Sequence, residues 1–324
     1  MEYRVLTGTG LEVSTLCLGA MLYGGQVAEK DAVEMVHYAL DCGVNFVDTA
    51  NVYVTGESET VLGKALKGRR DKIILATKVG SYFGKGPNEH GLSRRHVLEQ
   101  LDGSLRRLGT DYIDIYYMHR PDPNTPVQEI IQTLDIIVRS GKVRYIGASN
   151  FAAWQLCELY YEAARHGSPA PVVTQMVYNA VTRGIEQELI PFLDKFDTGL
   201  VTYNPLAGGM LTGKYSEKNI ESGGRFKLNA GYKNRYWNEE NFSAVEKLSG
   251  IAKALGISLV ELSMRWVYTN SAVDCILVGA SSLKQLAENL TSIDAGALPK
   301  DALAEFDAVW DEIKGNRFAY NRER

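Results

Sequence analysis

Strand-like apolar runs alternate with helical segments along almost the whole of this 324-residue chain. After a stretch over residues 3–14 that reads as a small hairpin turned at Thr7-Gly8-Thr9-Gly10, strand-like runs fall at 15–18, 45–47, 72–77, 112–118, 143–148, 172–174, 199–202 and 273–278. Between them the pattern predicts helices at 29–42, 57–66, 94–108, 127–140, 153–166 and 186–196, several stopping at a glycine suited to a left-handed cap. The second half adds an insertion at 204–238 and helices at 239–255, 259–269, 283–290 and 301–313.

About eight strand-like runs, most followed by a helix, are what a (β/α)8 barrel requires. An open doubly wound sheet would instead carry Gly-x-Gly-x-x-Gly after its first strand. That turn reads Leu18-Gly19-Ala20-Met21-Leu22-Tyr23-Gly24-Gly25, which does not fit. The expected fold is α/β: a (β/α)8 TIM barrel with an N-terminal β-hairpin cap and extra helices in the C-terminal half. No Pro-rich linker or low-complexity stretch divides the chain, so residues 1–324 are expected to form one domain.

With 45% hydrophobic residues the chain has material for a large core, and a net charge of -4 argues against a general nucleic-acid surface. No apolar run approaches the ~20 residues of a membrane helix, and the first residues lack the features of a secretory signal. These features predict a cytoplasmic protein with neither membrane nor nucleic acid as partner. The cysteines at 17, 42, 157 and 275 stand singly without histidines at ligand spacing, so they read as small core residues and no metal site is expected.

Polar residues follow the apolar runs: Asp48, Lys78, His119, Ser149 with Asn150, Gln175 and Tyr203. In a parallel barrel the C-terminal strand ends open onto one face, so these residues would converge. Asp48, Tyr53, Lys78 and His119 are together suited to deliver a proton to a carbonyl. A lysine ammonium beside a phenol favours its ionised form, and a carboxylate holds the lysine charged and in place. Each residue alone has a plain structural explanation, as a loop aspartate, a packed tyrosine, a solvated lysine or a turn histidine. Their joint placement on three consecutive strand ends is what carries the argument.

Several runs then resemble one family, the aldo-keto reductases. They are Phe46-Val47-Asp48-Thr49-Ala50 with Tyr53-Val54-Thr55-Gly56-Glu57-Ser58-Glu59, Leu75-Ala76-Thr77-Lys78, and Ser104-Leu105-Arg106-Arg107-Leu108-Gly109-Thr110-Asp111-Tyr112-Ile113-Asp114. Tyr117-Met118-His119-Arg120-Pro121-Asp122, Gly141 to Phe151 and Gln285-Leu286-Ala287-Glu288-Asn289 continue it. The resemblance implies hydride transfer between a nicotinamide cofactor and an aldehyde, ketone or alcohol. In it Tyr53 is the proton donor, Lys78 and Asp48 tune it, and His119 helps bind the carbonyl.

For the cofactor, the resemblance implies Ser149, Asn150 and Gln175 at the nicotinamide carboxamide and Tyr203 against its ring. The loop Asn204-Pro205-Leu206-Ala207-Gly208-Gly209-Met210-Leu211-Thr212-Gly213-Lys214 would meet the pyrophosphate, its glycines letting backbone N–H groups approach and Lys214 adding charge. Gly279, Ser281, Gln285, Glu288 and Asn289 would take the adenosine end. Family members that prefer NADP often carry Lys or Arg at the positions of Gly279, Ser281 or Gln285, and this chain carries none there. Ser281 and Gln285 can hydrogen-bond a 2′-phosphate, with charge from Arg225 or Lys284. NADP(H) is the cofactor the resemblance implies, with NAD(H) as the alternative.

Substrate contacts are expected in the loops at the strand ends, from Tyr23, Tyr82 and Trp237, with Arg225, Phe226, Tyr232, Arg235, Tyr236 and the tail residues Arg317, Phe318 and Tyr320 as further candidates. Aryl aldehydes, sugar carbonyls and anionic carbonyl compounds all suit such a lining. A low-turnover, redox-sensing subunit built on the same barrel is the alternative function. A lyase or isomerase would need a metal or phosphate-substrate site that the sequence does not show.

Overall fold

The computed structural model describes residues 1–215, 226 and 230–315. Tyr3–Val5 (β1) and Glu12–Ser14 (β2) pair antiparallel as the expected hairpin. The following strands are Leu16–Gly19 (β3), Phe46–Asp48 (β4), Ile74–Val79 (β5), Ile113–Met118 (β6), Val143–Ser149 (β7), Val173–Val177 (β8), Gly199–Tyr203 (β9) and Cys275–Val278 (β10). They run parallel in chain order and close, β10 pairing with β3, into an eight-stranded barrel. The (β/α)8 expectation and its hairpin are borne out.

Helices Glu29–Asp41 (α1), Glu57–Ala65 (α2), Arg94–Leu108 (α3), Val127–Arg139 (α4), Ala153–His166 (α5) and Leu189–Lys195 (α6) connect the strands. Ala230–Tyr236 (α7), Glu239–Ala254 (α8), Leu259–Thr269 (α9), Leu283–Thr291 (α10) and Lys300–Ile313 (α11) complete the described helices. Local chemistry sets their ends. Ser93 caps α3 by accepting the His96 N–H, and Gly109 stops it at φ 64°. Along α4 the spacing of Ile130, Ile131, Leu134 and Ile137 turns one apolar face inward.

Two differences from the sequence expectation have clear causes. The helix expected from 186 begins at Leu189, because Pro191 lacks an N–H and its ring collides with the carbonyl four residues back; it is tolerated only in a first turn. The strands also run on through the polar residues expected to follow them, so that Asp48, Lys78, Ser149, Gln175 and Tyr203 are strand residues.

Alternation explains that extension. Every second residue points into the barrel, where Cys17, Phe46, Ala76, Ile115, Tyr117, Val173, Val201 and Cys275 form a small buried cluster. One inward position further on come Gly19, Asp48, Lys78, Ser149, Gln175 and Tyr203. The barrel thus changes from an apolar plug to a polar layer at its C-terminal mouth. Gly147 is part of the plug: a Cβ there would overlap the Tyr117 ring, which fills the space across β6 and β7.

The hairpin closes the opposite end. Leu6 and Val13 pack on the apolar plug. Asp274 accepts hydrogen bonds from the Thr7 hydroxyl (2.8 Å) and the Leu200 N–H (2.8 Å), tying hairpin to barrel. Between barrel and helices lies the larger apolar core, and no described helix is long and apolar enough to cross a membrane.

Candidate active site

At the mouth of the barrel the polar layer is one hydrogen-bonded unit. Lys78 on β5 is fully buried and donates to Asp48 at the end of β4 and to the Thr49 carbonyl (2.9 Å). The other Asp48 oxygen accepts from Gln175 Nε2 on β8 at 3.0 Å, spanning the barrel interior. A buried carboxylate is thereby satisfied on both oxygens, the condition for keeping an ion pair out of water.

Tyr53 opens the 3₁₀ turn Tyr53–Gly56 just beyond β4. Its two successors, Val54 (φ 48°) and Thr55 (φ 54°), occupy the left-handed region that β-branched residues avoid. This tight turn brings the phenol over the ion pair: Lys78 Nζ lies 5.2 Å from the Tyr53 ring centroid. His119 follows β6, anchored by its N–H to the Val79 carbonyl (2.7 Å), and meets the Tyr53 ring edge-on with centroids 5.7 Å apart. His119 Nδ1 is buried without a hydrogen-bond partner among the described residues. The structure therefore brings Asp48, Tyr53, Lys78 and His119 together.

Burial dominates the electrostatics. It works against the Lys78 ammonium, but Asp48 and Tyr53 outweigh it and hold Lys78 above its ordinary pKa. Burial pushes Asp48 up, opposed by Lys78 and Gln175. For Tyr53 burial raises the pKa, Lys78 lowers it and Asp48 raises it, leaving the phenol above its usual value. The lysine acts in the direction expected from sequence, but the desolvation of this site is the stronger effect. Burial, reinforced by Lys78 and Arg120, lowers His119 to about 3, so its ring is neutral at physiological pH.

From this corner a cavity of about 830 Å³ extends along the mouth. Asp48, Tyr53 and His119 line one end, and Ser149, Asn150, Gln175 and Tyr203 its floor. These floor residues brace each other. Tyr203 OH donates to Asn150 Oδ1 (2.7 Å), Asn150 Nδ2 to the His119 carbonyl and to Ser149 Oγ (both 3.0 Å), and Ser149 Oγ to the Gln175 carbonyl (2.9 Å).

Asn204, Pro205, Leu206, Gly208 and Lys214 line the next part, while Leu211 is buried behind it and outside the lining. The glycine loop differs from expectation in one respect. The Gly208 N–H is already given to Asn204 Oδ1 (2.8 Å) and the Gly209 N–H to the Leu206 carbonyl (2.8 Å). What the glycines contribute is room and a positive φ, 69° and 102°; a Cβ on Gly208 would come within 2.7 Å of the Tyr232 ring. Gly279, Ser281, Gln285, Glu288 and Asn289 line the far end. There the Ser281 N–H (3.1 Å) and hydroxyl (2.9 Å) both donate to Gln285 Oε1, Ser282 caps α10, and Asn289 Nδ2 reaches the Gly279 carbonyl (3.4 Å).

The three expected substrate residues lie elsewhere. Tyr23 is buried with its hydroxyl unpartnered among the described residues, and Tyr82 is exposed and stacked on His90 at 4.4 Å. Trp237 is wedged among Tyr215, Phe226 and Phe242 at centroid distances of 5.0–5.8 Å. Their aromatic side chains pack on protein, so the lining goes to neighbours on the same segments: Met21, Leu22 and Gln26 near Tyr23, and Tyr232 and Arg235 near Trp237. The spacing of Tyr232, Arg235 and Tyr236 (i, i+3, i+4), one face of a helix turn, is the signal that could have singled out the latter pair. Arg225 and the tail residues Arg317, Phe318 and Tyr320 lie outside the described residues.

An elongated cavity floored by amide and hydroxyl groups, with a flat tyrosine face, a side-chain-free loop and a capped helix start at its far end, fits a dinucleotide. A parallel barrel with such a cleft against a tyrosine held over a buried lysine–aspartate pair defines the class of barrel oxidoreductases. The chain belongs to the aldo/keto reductase family, whose model matches residues 15–311. It is 38% identical over 302 residues to a probable voltage-gated potassium channel subunit beta of Oryza sativa subsp. japonica, covering 91% of this chain and 92% of that protein. A protein of the same description from Arabidopsis thaliana matches to the same extent. The uncharacterized oxidoreductase YrpG of Bacillus subtilis (strain 168) is 37% identical over 321 residues, 96% of each chain.

Proposed function

We propose that the chain is an NADP(H)-dependent carbonyl reductase, interconverting a small aldehyde or ketone with its alcohol, with Tyr53 as the general acid and base. One observation carries this reading: a fully buried Lys78, ion-paired with Asp48, sits 5.2 Å from the centre of a tyrosine ring that opens on the cavity beside His119. Bound NADPH would supply the hydride. The Tyr53 phenol gives its proton to the carbonyl oxygen, and the Lys78 ammonium stabilises the phenolate left behind. Asp48 keeps that ammonium in place, and the neutral His119 ring donates an N–H to orient the carbonyl.

Holding the phenol above its usual pKa keeps it protonated at neutral pH, which suits reduction. Alcohol oxidation needs the phenolate, so its rate should rise with pH. Ser149, Asn150 and Gln175 would hold the carboxamide, Tyr203 the ring, Lys214 the pyrophosphate, and Ser281 with Gln285 the 2′-phosphate. In this reading the chain is one domain working in the cytoplasm.

The test is NADPH and NADH consumption with an aromatic aldehyde, wild type beside Tyr53→Phe. A loss of ~10²–10⁴-fold with cofactor affinity kept is expected. Equal turnover in both proteins would remove Tyr53 from the mechanism.

A second reading, a low-turnover regulatory subunit that senses the redox state of its cofactor, is favoured by the identity to the potassium channel subunits. Tight cofactor binding with negligible turnover across aldehydes, together with a co-purifying membrane partner, would decide for it.

A further inference from the structure

One short helix covers the cavity and brings a cation to it. The α7 segment, Ala-Gly-Tyr-Lys-Asn-Arg-Tyr, is fastened by Tyr236, whose buried hydroxyl accepts from Asn204 Nδ2 (2.8 Å) and Asn179 Nδ2 (3.4 Å). Asn241 Nδ2 donates to the Tyr236 carbonyl (3.0 Å), and Trp237 is locked into its aromatic cluster immediately after. With its end so fixed, the helix turns Tyr232 and Arg235 into the cavity lining.

Both line the same cavity as Tyr53, His119 and Tyr203, and the Tyr203 hydroxyl holds Asn150, which donates to the His119 carbonyl. Arg235 lies over the Tyr236 ring at 5.9 Å, and no carboxylate pairs with it among the described residues. Among the described residues, the acidic groups that line the cavity are engaged or remote. Asp48 is paired with Lys78, and Glu288 lies at the far end with Ser281 and Gln285. Among the described residues, the cavity that Tyr53 and His119 line therefore also carries the Arg235 charge with no carboxylate paired to it.

We propose that Arg235 recognises an oxyanion on the substrate, so that the preferred carbonyl compound carries a carboxylate or phosphate group. Its planar fork matches either group with two parallel hydrogen bonds. Tyr232 beside it offers a flat apolar face for the carbon skeleton. This inference rests on the reading of the cavity as a carbonyl reductase site.

The test compares 4-carboxybenzaldehyde and 4-formylphenyl phosphate with the neutral methyl 4-formylbenzoate, in wild type, Arg235→Ala and Arg235→Lys. In Arg235→Ala the ratio of kcat/KM for anionic over neutral aldehyde should fall about five- to tenfold, with partial recovery in the lysine variant. The carboxylate and phosphate arms show which oxyanion is meant. An unchanged ratio overturns the proposal, as does a matching loss of NADPH affinity, which would assign Arg235 to the cofactor. Should wild type reduce none of the aldehydes, the proposed reaction fails on its own. Calorimetric binding of terephthalate in the presence of NADP+ then decides for Arg235. Binding weakened five- to tenfold in Arg235→Ala supports the oxyanion site, and no binding, or equal binding by both proteins, overturns it.

Discussion

Replacing Lys78 with methionine separates two jobs that the buried ammonium does at once. Its first job is to neutralise Asp48. Removing one partner of a buried ion pair leaves an uncompensated charge, at a cost of ~3–5 kcal/mol in stability. Its second job is to face the Tyr53 ring at 5.2 Å. At an effective dielectric of about 20, a unit charge at that distance is worth ~3 kcal/mol to the phenolate, or ~10²-fold. Lys78→Met should therefore unfold at markedly lower urea and lose at least that factor in aldehyde reduction. The double variant Asp48→Asn/Lys78→Met has no orphaned carboxylate, so it should regain most of the stability and none of the rate. Without the ammonium, the phenol is held still further above its usual pKa, and the rise of alcohol oxidation with pH should move to higher pH. Urea midpoints, NADPH consumption with aldehyde and NADPH formation from alcohol across a pH series measure the three quantities. A stable Lys78→Met protein would refute the uncompensated-charge argument, and turnover restored in the double variant would refute the action of Lys78 on Tyr53.

Two further outcomes follow from the same interior. Burial holds His119 near 3 in the folded chain against an ordinary 6.5, so its contribution to stability is complete above pH 6.5 and lost as pH falls toward 3. At about 1.4 kcal/mol per pH unit the loss between pH 6.5 and 5 is ~2 kcal/mol; His119→Gln should escape it, and parallel urea midpoints for the two proteins over that range would contradict the assignment. Gly147→Ala drives a methyl group into the Tyr117 ring, whose centre is 5.9 Å from Lys78 Nζ. It should cost ~1–3 kcal/mol in urea denaturation and lower turnover as well, and a variant as stable as wild type would show that the ring is not pinned there.

The barrel is legible because its period is repeated: about eight apolar runs in order, most followed by a helix-like segment, leave few other folds. The strand ends are not, because an apolar run breaks off before polar residues that still belong to the strand. Lys78 and Gln175 continue their strands since Asp48 satisfies both, and a sequence does not display partners 30 and 127 residues away. The α7 helix is not legible for a related reason. Its seven residues have no apolar stripe of their own and are held by Tyr236 on Asn204 and Asn179. Aromatic content marks out the insertion, but not which of its rings, Tyr232 rather than Trp237, lines the cavity. Glu59 shows the same limit within a recognised motif: its buried carboxylate takes the Thr77 hydroxyl at 2.5 Å and Arg107 Nε at 2.7 Å. Both halves stand in the sequence, and only the fold joins them.

That joining also explains where the backbone departs from its preferences. Apart from Asp197, every non-glycine residue with positive φ among the described residues belongs to the cavity segments: Val54, Thr55, Asn150, Asn204 and Ala207. Such conformations cost on the order of 1–3 kcal/mol each and persist only where surrounding contacts over-determine them. Those contacts are visible. Asn150 is fixed by its N–H to the Gln175 carbonyl (3.2 Å) and by both ends of its side chain, and Asn204 by Gly208, Asn179 and Tyr236. The Tyr53 turn leads into α2, where Ser58 donates to the Ala20 carbonyl at 2.7 Å and Glu59 is held from two sides. Local propensity therefore yields where tertiary ties are densest, at the rim of a barrel whose apolar plug holds the strands in place. A phenol beside a buried ammonium is productive only if neither can relax away from the other, and the strained turn after Tyr53 and the two-sided clamp on Asp48 remove that freedom.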